Sequence, residues 1–339
     1  LASVNALASA IIGSSSVCTG GTITLSDFGG GTWSSSAPAT AAIGSTSGVV
    51  TGGTPGTATI TYTLPTGCTA TKVITVNGLP TTITGTPVVC VGSTTTLAST
   101  PSGGTWSSSN TTLATATGGV VSGLSAGTPT ITYSLGTGCT VTTPVTVNAL
   151  PAAIGGTMNV CSGQSTTLTD ISTGGTWTSS APTVASIGTT SGYLSGLVPG
   201  TVVITYTLPT GCQATTAFTV NTTPSAPTGT LTVCAGQTTA LSATPSGGTW
   251  SSSAPTLASV SGTGVVTGLS AGSAAISYSL TTGCHSGTAV TVNPVPVISG
   301  TLHVCTGGSV SLAATPSGGT WTSSTPTTAS VGSGTGVVH

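Results

Sequence analysis

Short stretches of the chain alternate between apolar and polar residues, the pattern of half-buried β-strands. The segments TATITYTL at 57–64 and KVITVN at 72–77 show this alternation and are rich in β-branched residues. Clusters of Gly, Pro and Ser interrupt the pattern about every 6–10 residues, which is too often for helices of useful length. The pattern therefore predicts an all-β protein built from short strands.

One phrase recurs five times along the chain and defines a repeat. GGTWSSSAP at 30–38 returns unchanged at 247–255, and related phrases stand at 103–111, 174–182 and 318–326. The tryptophans of these phrases follow one another at intervals of 71 or 73 residues, so the period is about 72. They are Trp33, Trp106, Trp177, Trp250 and Trp321.

The period predicts one small domain for each copy of the phrase. About seven short strands per repeat, separated by turn signals, favour an antiparallel β-sandwich. We expect the end of a preceding repeat at 1–9, complete repeats 1 to 4 at 10–78, 79–149, 150–222 and 223–294, and a partial repeat 5 at 295–339. The start resembles 145–154 and the end stops partway through a repeat, so we expect a window of a longer repetitive chain.

Nine cysteines follow the same period. A first cysteine precedes each tryptophan by 15 or 16 residues, and a second follows it in the dipeptide GC in the four complete repeats. The first cysteines are Cys18, Cys90, Cys161, Cys234 and Cys305, and the second are Cys68, Cys139, Cys212 and Cys284. Regular spacing without any CxxC pair favours disulfides in an oxidising location over a zinc site.

Two pairings of these cysteines are compatible with the spacing. Pairing within a repeat, such as Cys90 with Cys139, would close loops of about 50 residues. If 81–89 is the first strand, however, these two cysteines lie at opposite ends of the domain, about 20–30 Å apart, whereas a disulfide needs Cα atoms within about 7 Å. Pairing between neighbouring repeats, Cys18 with Cys139 or Cys90 with Cys212, satisfies this geometry and would make a stiff rod. Both remain open, and the strand argument favours the second.

The aromatic residues are expected to form the core of each repeat. An indole on a central strand would fill the space between two sheets, where one aromatic side chain dominates so small a core. A tyrosine precedes each second cysteine by six residues, and we expect it to pack beside the tryptophan or to bond a backbone carbonyl, as a tyrosine corner does. These tyrosines are Tyr62, Tyr133, Tyr206 and Tyr278.

Charged residues make up only 1% of the chain, and this excludes several classes of function. One lysine without any arginine cannot displace counterions from nucleic acid. Calcium sites and general acid–base catalysis need positioned carboxylates or imidazoles with partners. Asp27 and Asp170 stand in loops where Asp commonly caps turns. The sequence therefore predicts no enzyme, no cofactor and no metal site, and no apolar run is long enough to span a membrane.

GTWSSSAPTLASVSGTGVVTGLSAGSAAISYSL at 248–280 resembles the bacterial immunoglobulin-like domain, group 2, a family found in invasin- and intimin-type adhesins and in large surface proteins. Its W-S-S-x-x-P-x-x-A-x-V, G-V-V-T-G and G-T-x-x-I-T-Y segments can be followed in each complete repeat, with small substitutions. The cysteines depart from that pattern and look more like repeats of large secreted proteins of Bacteroidota. The resemblance implies tandem Ig-like β-sandwiches, beads on a string, that serve as stalks, spacers or adhesive fibres outside the cell.

These observations lead to a hypothesis about function. The chain is expected to form an extracellular filament, surface fibre or sheath at the cell surface, with copies of itself as partners, because almost no charge opposes self-association. Glycans or a neighbouring cell surface could be contacted through regions outside the window. The alternatives are an adhesin stalk whose binding tip lies outside the window, and a spacer of a large secreted enzyme.

Overall fold

The computed structural model describes residues 7–339, and these form strands, turns and loops without a helix. The prediction of an all-β protein made of short strands is therefore confirmed. The alternating segments at 57–64 and 72–77 lie in the two long strands of repeat 1, and the structure extends the second of them back to Thr69.

The strands of the first two repeats are short except for the two that end repeat 1. Repeat 1 contains β1 (Ser16–Cys18), β2 (Thr22–Thr24), β3 (Thr32–Ser35), β4 (Ala41–Ile43), β5 (Val49–Gly52), β6 (Gly56–Thr63) and β7 (Thr69–Asn77). Repeat 2 contains β8 (Thr84–Gly85), β9 (Val88–Cys90), β10 (Thr94–Ala98), β11 (Thr105–Ser108), β12 (Ala114–Thr117), β13 (Val120–Gly123), β14 (Thr130–Ser134), β15 (Thr140–Pro144) and β16 (Thr146–Asn148).

The same order of strands returns in the later repeats. Repeat 3 contains β17 (Asn159–Cys161), β18 (Ser165–Thr167), β19 (Thr176–Ser179), β20 (Ala185–Ile187), β21 (Tyr193–Gly196), β22 (Gly200–Thr207) and β23 (Gln213–Asn221). Repeat 4 contains β24 (Thr228–Gly229), β25 (Thr232–Cys234), β26 (Thr238–Ser242), β27 (Thr249–Ser252), β28 (Ala258–Val260), β29 (Val265–Gly268), β30 (Gly272–Ser279) and β31 (His285–Asn293). Repeat 5 contains β32 (Val297–Ser299), β33 (Val310–Ser311), β34 (Ala313–Thr315) and β35 (Val337–Val338).

Repeats 1 and 2 belong to the first compact unit, which takes the chain up to Ala153 together with Asp170–Thr176 and Tyr206–Ala214. Repeat 1 is a sandwich of two sheets with the strand orders β1-β7-β6-β3 and β2-β5-β4. Repeat 2 has the same arrangement, with β16-β9 and β11-β14-β15 forming one layer and β12-β13-β10-β8 the other. Each sandwich encloses its own apolar core.

One strand pair differs from the antiparallel sandwich that the sequence predicts. In repeat 1, Ile12 first bridges Ser26 in the smaller sheet, and the chain then crosses over so that β1 pairs with β7 in parallel. The same parallel pair joins β9 to β16 in repeat 2. The first segment runs antiparallel to the chain at Ser26 and parallel to β7, so the crossover brings it beside the last strand without a change of direction.

The second compact unit consists of Ile154–Thr169, Trp177–Thr205 and Thr215–His339. Repeat 4 is again a two-layered sandwich, with the orders β25-β31-β30-β27 and β24-β26-β29-β28 and a core that includes Ile276 and Val290. In repeat 5, two small sheets, β32-β34 and β33-β35, are present and their apolar side chains stay largely exposed, for example Val297 at 66%.

The tryptophans of the complete repeats occupy edge strands, which corrects the expectation that they lie on central ones. β3 and β27, which contain Trp33 and Trp250, each pair with one neighbour only. Successive side chains point to opposite faces of a sheet in an edge strand as in a central one. The indoles can therefore still face the core from an edge strand. Trp33 is 7% exposed and Trp177 4%, whereas Trp106, Trp250 and Trp321 are half-buried.

Candidate functional site: stapled repeat junctions

The two cysteines of a repeat lie at opposite ends of its last long strand. Cys18 ends β1 and is paired in register with Asn77, the last residue of β7, while Cys68 stands immediately before the first. Nine residues of extended strand separate these two levels by about 30 Å. A disulfide needs Cα atoms within about 7 Å, so the fold does not allow the two cysteines of one repeat to pair.

The structure joins neighbouring repeats instead. Cys18 is bonded to Cys139, and Cys90 to Cys212, with a Cα–Cα distance of 5.7 Å in each pair. Cys161 and Cys284 form a third bridge with the same Cα–Cα distance. Of the two pairings that the sequence left open, this is the one between repeats, with the first cysteine of one repeat bonded to the second cysteine of the next.

Two of the bridges lie against a backbone carbonyl at the end of the last strand. The Asn77 carbonyl oxygen accepts a hydrogen bond from the Thr19 N–H at 2.9 Å and lies 3.8 Å from Cys139 Sγ. The Asn148 carbonyl lies 4.0 Å from Cys212 Sγ in the same way. Residues Cys139, Cys212 and Cys284 are at most 1% exposed, so solvent reaches these three sulfurs poorly.

The sequence analysis missed these asparagines. Asn77, Asn148, Asn221 and Asn293 end the last strand of each complete repeat and are paired in register with a first cysteine. The dipeptide VN recurs at every one of these places and could have marked them. Periodicity along one chain, however, does not tell which residues face each other across strands.

Three cysteines have no disulfide partner within residues 7–339. Cys68 is half-buried, and Cys234 and Cys305 are exposed. Cys68 occupies the same place in its repeat as the bonded Cys139, and Cys234 the same place as the bonded Cys90. They therefore have the strand environment of bonded cysteines without a partner in the described chain.

The linkers between repeats are packed against the fold. Pro80, Pro151 and Pro224 are buried, whereas Pro296, at the start of repeat 5, is exposed. The N–H of Thr81 donates to the carbonyl oxygen of Thr100 at 2.8 Å, and the N–H of Ser225 donates to that of Thr244 at 2.8 Å. These bonds fix each linker to the repeat that follows it.

Trp33, Trp106 and Trp250 each lie directly across from a tyrosine on the neighbouring strand. The ring centroids of Trp33 and Tyr62 are 4.5 Å apart, and those of Trp250 and Tyr278 are 4.8 Å apart, with tilted planes. Offset, tilted geometry of this kind is favourable for aromatic pairs. The tyrosines thus pack beside the tryptophans, as one of the two expectations stated.

The tyrosine hydroxyl also anchors the loop before the tryptophan. Tyr278 Oη accepts a hydrogen bond from the Gly248 N–H at 2.7 Å and donates to the Pro245 carbonyl oxygen at 2.9 Å. Tyr133 makes the equivalent pair of bonds with Gly104 and Pro101. Packing and backbone bonding, which the sequence offered as alternatives, therefore occur together.

The remaining ionisable residues do not assemble into a reactive site. Asp170 Oδ1 accepts the N–H of Ser172 at 2.7 Å, the turn-capping role expected for it, and its Oδ2 is buried without a hydrogen-bond partner. Asp27 Oδ1 accepts the N–H of the adjacent Phe28 at 2.7 Å, and its Oδ2 is also buried without a hydrogen-bond partner. The three histidines, His285, His303 and His339, are exposed. Within residues 7–339 no cluster of His, Cys, Asp or Glu is suited to a metal ion, and no helix has the length and apolarity needed to cross a membrane.

Comparison with known proteins gave both family and structural matches. A family model described as "Bacterial Ig-like domain (group 2)" matches residues 214–292. No curated protein gives a significant match. Among solved structures, domains 4 and 5 of the S-layer protein SbsC are 22% identical over 42% of this chain and 99% of theirs, with a TM-score of 0.22. Invasin, a bacterial integrin-binding protein, is 16% identical over 86% of this chain and 80% of its own, with a TM-score of 0.33.

A fragment of intimin, solved with the intimin-binding domain of its translocated receptor, is 18% identical over 43% of this chain and 67% of its own, with a TM-score of 0.30. These identities and scores are low, so the assignment depends on the family match and on the sandwiches themselves. Residues 214–292 are a bacterial Ig-like domain of group 2, set in a chain of tandem Ig-like β-sandwiches.

Proposed function

We propose that this protein is a structural element of the bacterial cell surface, an extracellular filament, fibre or sheath made of tandem Ig-like repeats. The observation on which the proposal depends is that bridges join one repeat to the next. Disulfides persist in oxidising compartments, which supports a location outside the cytoplasm. A covalent link between neighbouring repeats restricts their relative motion, a property useful in a support and unnecessary for a catalyst.

Association between copies is part of the proposal and is supported by charge. Only three residues of the chain are charged, so association costs little desolvation of ions and meets little repulsion. Exposed apolar residues recur at the first position of one strand in every complete repeat. They are Val49, Val120, Tyr193 and Val265, with 37%, 43%, 52% and 37% exposure. We assign the lateral contact between copies to these four side chains. We call them the E-strand row, because E is the letter of this strand in an Ig-like sandwich.

Electron microscopy and sedimentation of the purified oxidised protein test the proposal. We expect ordered multi-chain fibres from the unmodified chain. Lysines at three positions of the E-strand row (Val49→Lys, Val120→Lys, Val265→Lys) should disperse the fibres, because buried lysines without partners oppose association. Lysines at exposed strand positions of the other sheet (Thr71→Lys, Thr142→Lys, His285→Lys) add the same number of charges and should leave them intact.

Each outcome of this experiment has one meaning. Isolated thin threads from the unmodified protein at every concentration would reject self-assembly and favour a stalk that is monomeric along its length. Fibres that survive in both variants would retain self-assembly and reject the E-strand row as its contact. Dispersal by the second set alone would move the contact to the other sheet.

A further inference from the structure

The disulfides create a covalent route through the chain that bypasses most of each repeat. From Cys18 the bond leads directly to Cys139, and after residues 139–161 the bond from Cys161 leads directly to Cys284. The two bonds span sequence separations of 121 and 123 residues. Between Cys18 and Cys284 the shortest covalent path therefore contains only the segment 139–161.

About half of the segment on this route is extended strand. It consists of β15 and β16, a linker, and β17, and it includes no hairpin. A strand rises about 3.3 Å per residue, close to the limit of about 3.6 Å for a stretched chain. Pulling on these strands can therefore lengthen them by only about a tenth.

A shorter route of the same kind is interleaved with the first, and it ends at Cys68 and Cys234, which have no partner within the described residues. The bond between Cys90 and Cys212 joins two segments that have the same order of elements. Segment 68–90 ends at this bond, and segment 212–234 begins at it. Each of these segments contains the last strand of one repeat, the linker, and the first strand of the next. The pattern of last strand, linker, first strand and disulfide is thus common to both routes.

Most strands of each core lie outside these segments, although the last and first strands also contribute core residues such as Ile74 and Val147. The intervals 19–67, 91–138, 162–211 and 235–283 contain every tryptophan phrase of the complete repeats and the core strands around it. Each interval lies inside a loop that a disulfide closes. The first two lie inside the loop of Cys18–Cys139, and the last two lie inside the loop of Cys161–Cys284. Force applied to the ends of the chain does not pass through them while the bonds are intact.

We infer that the protein is an inextensible tether, in which the disulfide-linked last and first strands bear tension and the strands between them in each repeat are shielded from it. This function rests on the proposed structural role and extends it, because a fibre that must resist pulling needs repeats that do not unravel. In an array without these disulfides, each repeat would unfold under load and lengthen the chain by the contour length of that repeat.

Single-molecule stretching of the oxidised protein between handles fused to its two ends tests the inference. We expect a maximal extension set by roughly 100 residues, since residues 19–138 and 162–283 do not contribute. Adding a phosphine reductant should release these roughly 240 residues, and the maximal extension should increase by about 85 nm at about 3.6 Å per residue.

Two double variants make the test specific to the route. Cys18→Ser with Cys139→Ser removes a bond on the shortest path, and the maximal extension should rise by about 35 nm. Cys90→Ser with Cys212→Ser removes the bond of the interleaved route, and the extension should stay at the value of the unmodified oxidised protein. Cys234→Ser, at a cysteine without a partner in the described chain, should also have no effect.

The readout depends on covalent connectivity, so it remains valid if a variant unfolds. Lengthening steps of a whole repeat in the oxidised unmodified protein, or equal lengthening in the two double variants, would overturn the inference. Because the measurement is made on single chains, its failure is separate from that of self-assembly. A chain that stays monomeric can still be inextensible, and a fibre-forming chain can still extend.

Discussion

Cys18 and Cys139 are 121 residues apart in the chain, and their Cα atoms are 5.7 Å apart in the structure. The first lies at the end of β1 in repeat 1, and the second stands just before β15 in repeat 2. Cys18 is level with the last residue of β7, and Cys68 directly precedes the first, so the length of β7 separates the two cysteines of repeat 1. The covalent partner of Cys18 must therefore come from the next repeat.

This connectivity predicts an unusual result of tryptic digestion. The chain contains one lysine and no arginine, and Lys72 lies inside the loop that Cys18–Cys139 closes. After cleavage in urea without reductant, residues 1–72 and 73–339 should migrate as one species on a denaturing gel and separate only when a reductant is added. Release of the smaller fragment without reductant would mean that Cys18 is not bonded to Cys139.

Folded protein should resist the same protease. Lys72 is half-buried on β7, its backbone is paired with Ile60, and its Nζ donates to the Ile11 carbonyl oxygen at 3.2 Å. Cleavage requires local opening of this strand, which is rare in a packed sheet. We expect intact protein after hours with trypsin at neutral pH, measured by mass spectrometry. Cleavage within minutes would show that repeat 1 is loosely folded.

The hydroxyl of Tyr278 should contribute measurably to the stability of repeat 4. Tyr278→Phe removes both its bonds, to Gly248 and Pro245, in a part-buried loop, and leaves a backbone N–H without its partner. We expect a loss of about 2–3 kcal/mol in the free energy of opening, measured by amide hydrogen exchange in β27 and β30. Tyr193→Phe, at a half-exposed tyrosine, is the control and should change stability by less than about 0.5 kcal/mol.

Gly264 is required both by its backbone conformation and by the tryptophan beside it. Its φ is +84°, and a Cβ there would lie 2.9 Å from Trp250 Cε2 and 2.5 Å from the Leu241 carbonyl oxygen. Gly283 has a similar φ of +87° with nothing within 4 Å. Gly264→Ala should therefore cost about 3–4 kcal/mol, and Gly283→Ala only about 1–2 kcal/mol, in denaturant unfolding followed by hydrogen exchange. Equal costs would mean that the indole does not press on this turn.

Removal of one bridge should destabilise the repeats that it joins. Cys161→Ser with Cys284→Ser opens a loop with a sequence separation of 123 residues, and the loss of a native disulfide typically costs about 2–5 kcal/mol. The expected result is a lower unfolding midpoint for repeats 3 and 4 in hydrogen exchange across a denaturant series. Cys305→Ser, at an exposed cysteine without a partner in the described chain, should leave these midpoints unchanged.

The sequence by itself determined the class of fold, the period and the inventory of the junction. Alternating segments such as 57–64 predict strands because side chains project alternately from an extended backbone. The recurring Trp, Tyr and Cys mark equivalent places in every repeat, and the near-absence of charge restricts the chemistry available. The repeat boundaries remain predictions.

Only the tertiary structure decided which of these residues meet. It placed Trp33 on an edge strand, turned the first segment of repeat 1 into a parallel partner of β7, and set Cys18 level with Asn77. The pairing of cysteines follows from strand register and from the packing of one repeat against the next, and these depend on contacts between residues far apart in the chain. A periodic sequence repeats the same cysteine positions without stating which copies are neighbours in space, and so the choice between bridging a repeat and bridging a junction is made by the fold.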